Sequence, residues 1–164
     1  MTLTLAADAR VVAVVAHPDD AEINFYGSLR CWRDAGATVT VLYATHGANG
    51  VSRRDSAAGQ RLNPRQRPAE SAQPFDATGI TVECLGMIHG ALSCGIELIS
   101  AIEDALTRHA CTVLLTHDRH SGNDHQDHHV IARAALNAAT RVPSCTTILH
   151  GQPHAPHHQV ARPS

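Results

Sequence analysis

The 164-residue sequence contains no lysine, so arginine supplies all 13 of its fixed positive charges. Without lysine the chain cannot form a Schiff base with a substrate, and it cannot provide the phosphate-binding lysine of a Walker-type loop. The formal net charge is only −2, which gives no electrostatic reason to expect nucleic acid or an anionic membrane as a partner. No apolar run approaches the ~20 residues that a membrane-spanning helix needs. We therefore expect neither a nucleic-acid partner nor a membrane span.

Cysteine pairs with the spacing of a metal site are also missing. The five cysteines are odd in number and include no CxxC motif. This pattern predicts neither a disulfide framework nor a thiolate zinc site, and we interpret the cysteines as small buried residues in a reducing cytoplasm. The first 16 residues have no basic segment before their apolar run, which favours a strand over a signal peptide.

Short apolar segments alternate with helical patterns along the chain, and its length suits one compact domain. Several of the apolar segments are β-branched on both faces, as in a parallel sheet. The sequence therefore predicts an α/β domain with a Rossmann-like, mainly parallel sheet and helices on both faces. The predicted strands cover residues 10–16, 37–45, 80–85, 111–116 and 143–150, and the predicted helices cover residues 23–35, 64–78, 95–109 and 125–139.

Apolar spacing predicts which face of two helices is buried. Ile23 opens one stripe and Ile96 opens the other, in each case followed by apolar residues three or four positions further on. For the last helix, Asn123 or Asp124 is the expected N-cap.

Two polar clusters follow predicted strands. Ala16-His17-Pro18-Asp19-Asp20-Ala21-Glu22 comes directly after the first strand, and His125-Gln126-Asp127-His128 comes after the fourth. Ligands of parallel α/β sheets bind beyond the carboxyl ends of the strands, so both clusters fall where a site is expected. Charged groups at such a position must be paired, solvated or bound to a metal.

The residue types in these clusters are those of a catalytic zinc site. Such a site has three protein ligands and one position open to water, and His17, Asp20 and His128 could supply the three. Asp19 would stand beside the metal as the general base. His125 could stabilise a developing oxyanion, with Asp127 orienting it.

Each of these residues also has a purely structural interpretation. An Asp-Asp pair after Pro18 is typical of turns and helix caps, and many loop histidines are merely solvated. Glu22 is interpreted as a residue that braces a ligand. Three further histidines are interpreted as solvated or as neighbours of the ligands: His117, His120 and His129.

The two clusters resemble the AHPDD(x)E and HxDH signatures of the PIG-L/LmbE-like zinc de-N-acetylases. Thr45-His46-Gly47 and Arg67-Pro68-Ala69-Glu70 are similar to further segments of that family, and the resemblance spans residues 10–149 in consistent order. The resemblance implies zinc-dependent hydrolysis of the acetyl group of an N-acetylglucosamine-type amino-sugar conjugate. The residues carried over are the zinc ligands His17, Asp20 and His128, the general base Asp19, the intermediate-stabilising His125 with Asp127 beside it, and the substrate-contacting Arg67.

Family members are usually longer, and the similarity stops near Leu149. We expect a C-terminally shortened deacetylase domain over residues 1–150 and a flexible, histidine- and proline-rich tail over residues 151–164. A homologue that binds metal or glycoside without turnover is therefore one alternative. A metal-dependent phosphoester hydrolase is another, although only Arg119 supplies a positive charge close to the second cluster. A truncated sheet could also expose an edge strand that a second copy of the chain covers.

Overall fold

The computed structural model describes residues 3–47, 57–59, 69–70, 72–119 and 125–151. Five parallel strands form one sheet in the order β3-β2-β1-β4-β5. The strands are β1 (Arg10–Val15), β2 (Thr38–Thr45), β3 (Thr81–Met87), β4 (Val113–His117) and β5 (Thr147–Gly151). The helices are α1 (Asp20–Asn24), α2 (Tyr26–Asp34), α3 (Ile96–Arg108) and α4 (Gln126–Ala139), with a 3-10 turn at Gln73–Phe75.

The core has two apolar layers, one on each face of the sheet. Val12 and Val14 of β1 pack in the layer that contains α3 and α4, whereas Val11, Ala13 and Val15 pack in the layer that contains α2. Side chains of a strand alternate between the two faces, so a strand buried on both faces needs apolar residues throughout. The prediction of a parallel α/β sheet with helices on both faces is confirmed. None of the described helices is both long and apolar enough to cross a membrane.

The single helix predicted over residues 23–35 was wrong, because the structure has two helices in this region. Helix α1 begins at Asp20, and the backbone of Phe25 leaves the helical region with φ of −130° before α2 starts. Phe25 is buried, while Ile23 is 73% exposed. The break changes which side chains face the sheet, and Ile23 therefore does not open the buried stripe.

Two further details of the helices also differ from the expectation. Ile96 is 69% exposed because it occupies the first position of α3, whereas Leu98 and Ile99 are buried. The N-cap of α4 is His125 rather than Asn123 or Asp124. Its Nδ1 atom accepts a hydrogen bond of 3.2 Å from the backbone N–H of Asp127. A histidine can cap a helix in this way because its unprotonated ring nitrogen is an acceptor.

Other predictions fall largely beyond the residues that the structure describes. These include most of the polar loop over residues 46–63, Arg67, and the tail beyond residue 151. Within the predicted helix over residues 64–78, the described part contains the 3-10 turn at Gln73–Phe75.

The order of the strands determines where the site forms. Strand β1 lies between β2 and β4, so the connections leaving β1 and β4 run to opposite sides of the sheet. Ligands of doubly wound sheets bind at this kind of switch point. The two histidine- and aspartate-rich clusters follow β1 and β4 and therefore meet there.

Candidate metal and catalytic site

The turn after β1 brings His17 and Asp20 onto the same side of the chain. The backbone N–H of His17 donates a 2.8 Å hydrogen bond to Oδ2 of Asp20, and the backbone N–H of Asp20 donates to the carbonyl of His17. Asp19 lies between them in the left-handed region, with φ of 101°. This tight turn places Nδ1 of His17 3.4 Å from Oδ2 of Asp20, and both residues are buried.

His128 reaches the same point from the first turn of α4. Its Nε2 atom lies 3.3 Å from Nδ1 of His17 and 3.2 Å from Oδ1 of Asp20. Zinc bonds of about 2.0–2.1 Å arranged as a tetrahedron place neighbouring ligand atoms about 3.3–3.4 Å apart. The two ring nitrogens have this spacing, and each lies at a similar distance from one oxygen of the Asp20 carboxylate, Oδ2 for His17 and Oδ1 for His128. Two imidazoles and one carboxylate so close together are suitable donors for a tetrahedral zinc ion.

Other donors surround this set. Within the part of the chain that the structure describes, three further overlapping groups have donor atoms close enough together to hold a metal ion. They are His17 with His125 and His128, His17 with His89 and Asp127, and Asp20 with His117 and His128. His17 and His128 recur in these groups, which makes them central to any metal position at this end of the sheet.

The carboxylate of Asp127 contacts His17. Oδ2 of Asp127 lies 3.0 Å from Nε2 of His17 and accepts a 2.7 Å hydrogen bond from the backbone N–H of Gly90, while Oδ1 accepts from the N–H of Leu92. Sequence reasoning paired Asp127 with His125, which it meets through its own backbone N–H. A carboxylate at Nε2 keeps the proton on that nitrogen and leaves the Nδ1 electron pair facing Asp20 and His128, as a metal ligand requires.

Charge interactions shift the pKa values of the central groups in opposite directions. Burial alone would raise the pKa of Asp20, but hydrogen bonds from His117, His128 and His17 lower it well below its usual range. Burial lowers the pKa of His17, but Asp20 and Asp127 raise it by a larger amount. Asp20 is therefore ionised at neutral pH, and a bound cation would have to displace a proton that His17 holds more tightly than usual.

His125 is the half-buried histidine at the start of α4. Its ring lies 4.6 Å from the ring of His17, measured between centroids. Burial, and then the positive charges of His17 and His128, lower the pKa of His125, so this imidazole is neutral at pH 7. Because Nδ1 accepts the backbone N–H of Asp127, the proton of the neutral ring is on Nε2. His125 can thus donate a hydrogen bond to a substrate oxygen.

The remaining predicted site residues are Asp19, Glu22 and Arg67, and their surroundings differ. Asp19, next to Asp20, is half-buried, so solvent reaches this part of the turn. Glu22 accepts a 2.9 Å hydrogen bond from the hydroxyl of Tyr43 on β2. Arg67 lies outside the described residues, and its role as a substrate contact stays a prediction.

Sequence reasoning missed one histidine that contributes to the site, His89. His117, which was expected to be solvated or a neighbour of the ligands, is buried at the end of β4, where its ring stacks on His128 with the centroids 4.1 Å apart. His89, in the loop after β3, stacks on His17 at 4.2 Å. The sequence does contain a signal for His117. Residues two apart in a strand point to the same face, so His117 lies on the same face of β4 as the buried Val113 and Leu115.

Comparisons with known proteins agree with this fold. The N,N'-diacetylchitobiose deacetylase from Pyrococcus horikoshii superposes with a TM-score of 0.76 at 18% identity, over 90% of this chain and 62% of its own. The A40926 pseudoaglycone deacetylase superposes with a TM-score of 0.72 at 22% identity, over 95% of this chain and 69% of its own. The 4-carboxy-2-hydroxymuconate hydratase from Pseudomonas putida KT2440 reaches a TM-score of 0.69 at 18% identity, over 80% of this chain and 56% of its own.

At these identities the structural likeness shows the fold alone, and a hydratase shares it with the deacetylases. This chain spans about 62% of the length of the diacetylchitobiose deacetylase. A comparison with curated protein sequences finds no match. The sequence profile of the PIG-L family (GlcNAc-PI de-N-acetylase) matches residues 12–139, which is most of the chain and includes both polar clusters. The chain therefore belongs to the PIG-L family.

Proposed function

We propose that this protein is a zinc-dependent N-deacetylase that removes the acetyl group from an N-acetylglucosamine-type amino-sugar conjugate. The observation that carries the proposal is the spacing of His17 Nδ1, Asp20 and His128 Nε2, which are 3.2–3.4 Å apart. Family membership supports the amino-sugar substrate class. The deacetylase neighbours support the reaction type. The activity is proposed for residues 1–150.

In this proposal His17, Asp20 and His128 would hold the metal. When bound, zinc supplies a Lewis acid that makes water nucleophilic near neutral pH and polarises a carbonyl oxygen. Asp127 keeps the proton of His17 on Nε2, so that Nδ1 stays available as a ligand. The ligand set carries one negative charge, and this leaves net positive charge on the site.

Asp19 is the proposed general base. It takes a proton from the attacking water as the oxygen bonds to the acetyl carbon, and it passes that proton to the amide nitrogen as the C–N bond breaks. The products are acetate and the free amine of the sugar, and the water molecule accounts for all added atoms. No lysine is needed for any of these steps.

His125 is the proposed oxyanion donor. Its Nε2–H donates a hydrogen bond to the carbonyl oxygen, where negative charge develops as water adds. A neutral imidazole with a fixed tautomer is suited to this role because it keeps its proton throughout the addition step.

The test is a metal analysis combined with an acetate-release screen on the purified chain. We expect about one zinc per chain and release of acetate from N-acetylglucosamine conjugates. Asp19→Asn should retain zinc and lose acetate release by about 10²-fold or more, since it removes the general base. Asp8→Asn, an exposed aspartate before β1, is the matched control and should behave as the wild type.

The alternatives give different results in the same screen. Zinc binding without acetate release from a broad panel would contradict the deacetylase proposal and favour a homologue without turnover. Phosphate release from phosphoesters with no acetate release would favour a phosphoester hydrolase. If Asp19→Asn retains full activity, the proposed base is wrong.

A further inference from the structure

Two of the five cysteines lie side by side, at the end of the sheet opposite the candidate metal site. The Sγ atoms of Cys111 and Cys145 are 4.0 Å apart, although the residues are 34 positions apart in the chain. Cys111 precedes β4 and Cys145 precedes β5, whereas His117 lies at the far end of β4. About 20 Å of strand therefore separates Cys111 from His117 and the donor groups around it. None of the proposed catalytic steps uses either thiol.

We propose that Cys111 and Cys145 form a reversible disulfide within one chain when the protein meets a peroxide, and that this bond fastens the edge strand β5 to β4. The inference does not depend on the proposed deacetylase activity or on a bound metal. It differs from a permanent disulfide framework, because a bond of this kind in a reducing compartment is transient.

The pairing of β4 with β5 brings the two cysteines together. Val113 is opposite Thr147 in the parallel register, and the same register extended by two residues places Cys111 opposite Cys145. The carbonyl of Thr112 accepts hydrogen bonds from the backbone N–H groups of the two residues that follow Cys145. The two segments thus stay in contact up to the cysteines. Neighbouring strands lie about 4.8 Å apart, which is within the range of Cα separations that a disulfide spans.

Both side chains lie on the same face of the sheet. Cys111 belongs to the buried layer that contains α3 and α4, and Cys145 packs against that layer. The sulfur atoms must approach by about 2 Å to reach the length of an S–S bond. Rotation of one side chain about χ1 moves its sulfur by at least this distance, so the bond can form without rearranging the strands.

The surroundings give the two thiols different roles. Cys145 is half-buried and Cys111 has no exposed surface, so a peroxide reaches Cys145 first. A hydrogen bond from the thiol of Cys111 lowers the pKa of Cys145 to about 7, while the same bond and burial raise the pKa of Cys111. Because the thiolate is the reactive form of cysteine, Cys145 is the sulfur that is oxidised first.

The reaction has two steps. The thiolate of Cys145 attacks one oxygen of hydrogen peroxide, the O–O bond breaks and hydroxide leaves, which converts the thiolate to a sulfenic acid. The sulfur of Cys111 loses its proton as it attacks the sulfur of Cys145, and the S–O bond breaks to release water. The hydroxide from the first step takes up the proton that Cys145 released on ionising. In total, two thiols are oxidised to a disulfide and one peroxide is reduced to two water molecules.

The disulfide would close a loop that contains β4, the second polar cluster and α4. Strand β5 is at the edge of the described sheet and pairs only with β4, so the bond adds a covalent attachment to a strand with a single neighbour. A cross-link also restricts the unfolded chain and thereby stabilises the folded one. The usual stabilisation by a disulfide corresponds to a rise in melting temperature of about 5–15 °C for a chain of this size.

The experiment treats the reduced full chain with hydrogen peroxide, blocks the remaining thiols with N-ethylmaleimide and digests the product with trypsin. Because the chain has no lysine, trypsin cleaves only after arginine, and the two cysteines fall in separate peptides, residues 109–119 and 142–164. Mass spectrometry should find these two peptides joined to each other in a chain that remains a monomer on a non-reducing gel. Dithiothreitol should separate the peptides and return the melting temperature to that of the reduced protein.

Two variants and a control test the assignment. Cys145→Ala and Cys111→Ala should each abolish both the cross-link and the rise in melting temperature. Because Cys111→Ala leaves a small cavity in the core, Cys145→Ala decides the outcome if the other variant fails to fold. In folded Cys111→Ala, dimedone should label a sulfenic acid at Cys145. Cys94→Ser, at an exposed position, is the control and should behave as the wild type.

Three results would overturn the proposal. A folded wild type that forms no cross-link, whether its thiols stay reduced or reach the sulfinic acid, would show that the two sulfur atoms do not meet. A cross-link that forms only in urea, or only between chains, would show that the folded arrangement does not direct it. A cross-linked chain whose melting temperature is unchanged or lower would refute the role of the bond in fastening β5.

Discussion

Replacing Asp127 by asparagine would test the hydrogen-bond network behind the proposed metal ligands. The carboxylate has no exposed surface and accepts from three donors: the N–H groups of Gly90 and Leu92, and Nε2 of His17. An asparagine side chain has only one acceptor oxygen, so its NH₂ group must face at least one of these donors. An unsatisfied buried donor costs about 1–3 kcal/mol, and loss of charge from the remaining bonds costs about 1 kcal/mol each. We expect Asp127→Asn to lower the free energy of unfolding by about 3–5 kcal/mol.

The same substitution should weaken zinc binding by about 10–100-fold, because His17 loses the partner that keeps its proton on Nε2. Urea unfolding of the metal-free protein measures the first effect, and chelator competition measures the second. Asp34→Asn is the control, since that carboxylate is exposed and pairs only with Arg30 in the described structure. The reasoning is refuted if Asp127→Asn changes stability by less than about 0.5 kcal/mol, as expected for a surface substitution, and leaves zinc affinity unchanged.

Three further predictions concern the backbone, the pH dependence and one thiol. Asp19→Gly should relieve the positive φ and raise the unfolding free energy by about 1 kcal/mol while abolishing acetate release; a lower melting temperature would contradict this. In the metal-free protein, burial lowers the pKa of His17 but its two carboxylate neighbours raise it more, so its protonated form stabilises the fold below pH ~6.5. That contribution should disappear as pH rises through the raised pKa, and zinc affinity, measured by calorimetry, should increase over the same range; an affinity independent of pH would refute the assignment. A hydrogen bond from the thiol of Cys111 lowers the pKa of Cys145 to about 7, so alkylation of Cys145, followed by mass spectrometry, should increase through that pH. Cys111→Ala should move the midpoint upward, and an unchanged midpoint would exclude the hydrogen bond as the cause.

The architecture was predictable because local pattern and tertiary environment agree. Strands such as β1 are apolar on both faces, which identifies a buried parallel sheet, and the structure places each of the five strands within a few residues of its predicted position. Helix α3 was also predicted nearly to its ends. The break at Phe25 was not predictable, since no Pro or Gly marks it and it depends on the burial of that ring beside His117.

The segments that form the candidate site were predictable from the sequence, but the contacts between their side chains were not. His17, Asp20 and His128 meet because parallel strands bring their following loops to one edge of the sheet. Asp127 was expected beside His125, yet its carboxylate points to His17. Such pairings depend on the rotation of α4 against the sheet, which sequence spacing does not specify. The roles of individual residues as ligands, base and substrate contact stay predictions, as do the cytoplasmic location and self-association.

His17 and His128 are 111 positions apart in the chain, yet their ring nitrogens lie 3.3 Å from each other. They can meet only after β1 and β4 have paired and α4 has docked, so the cation cannot be captured by an early folding intermediate. Closing a loop of this length costs conformational entropy before the contacts between distant segments can form and offset it. Metal uptake would therefore report that folding has been completed, and an unfolding chain would release a bound metal ion at the moment the central strands separate.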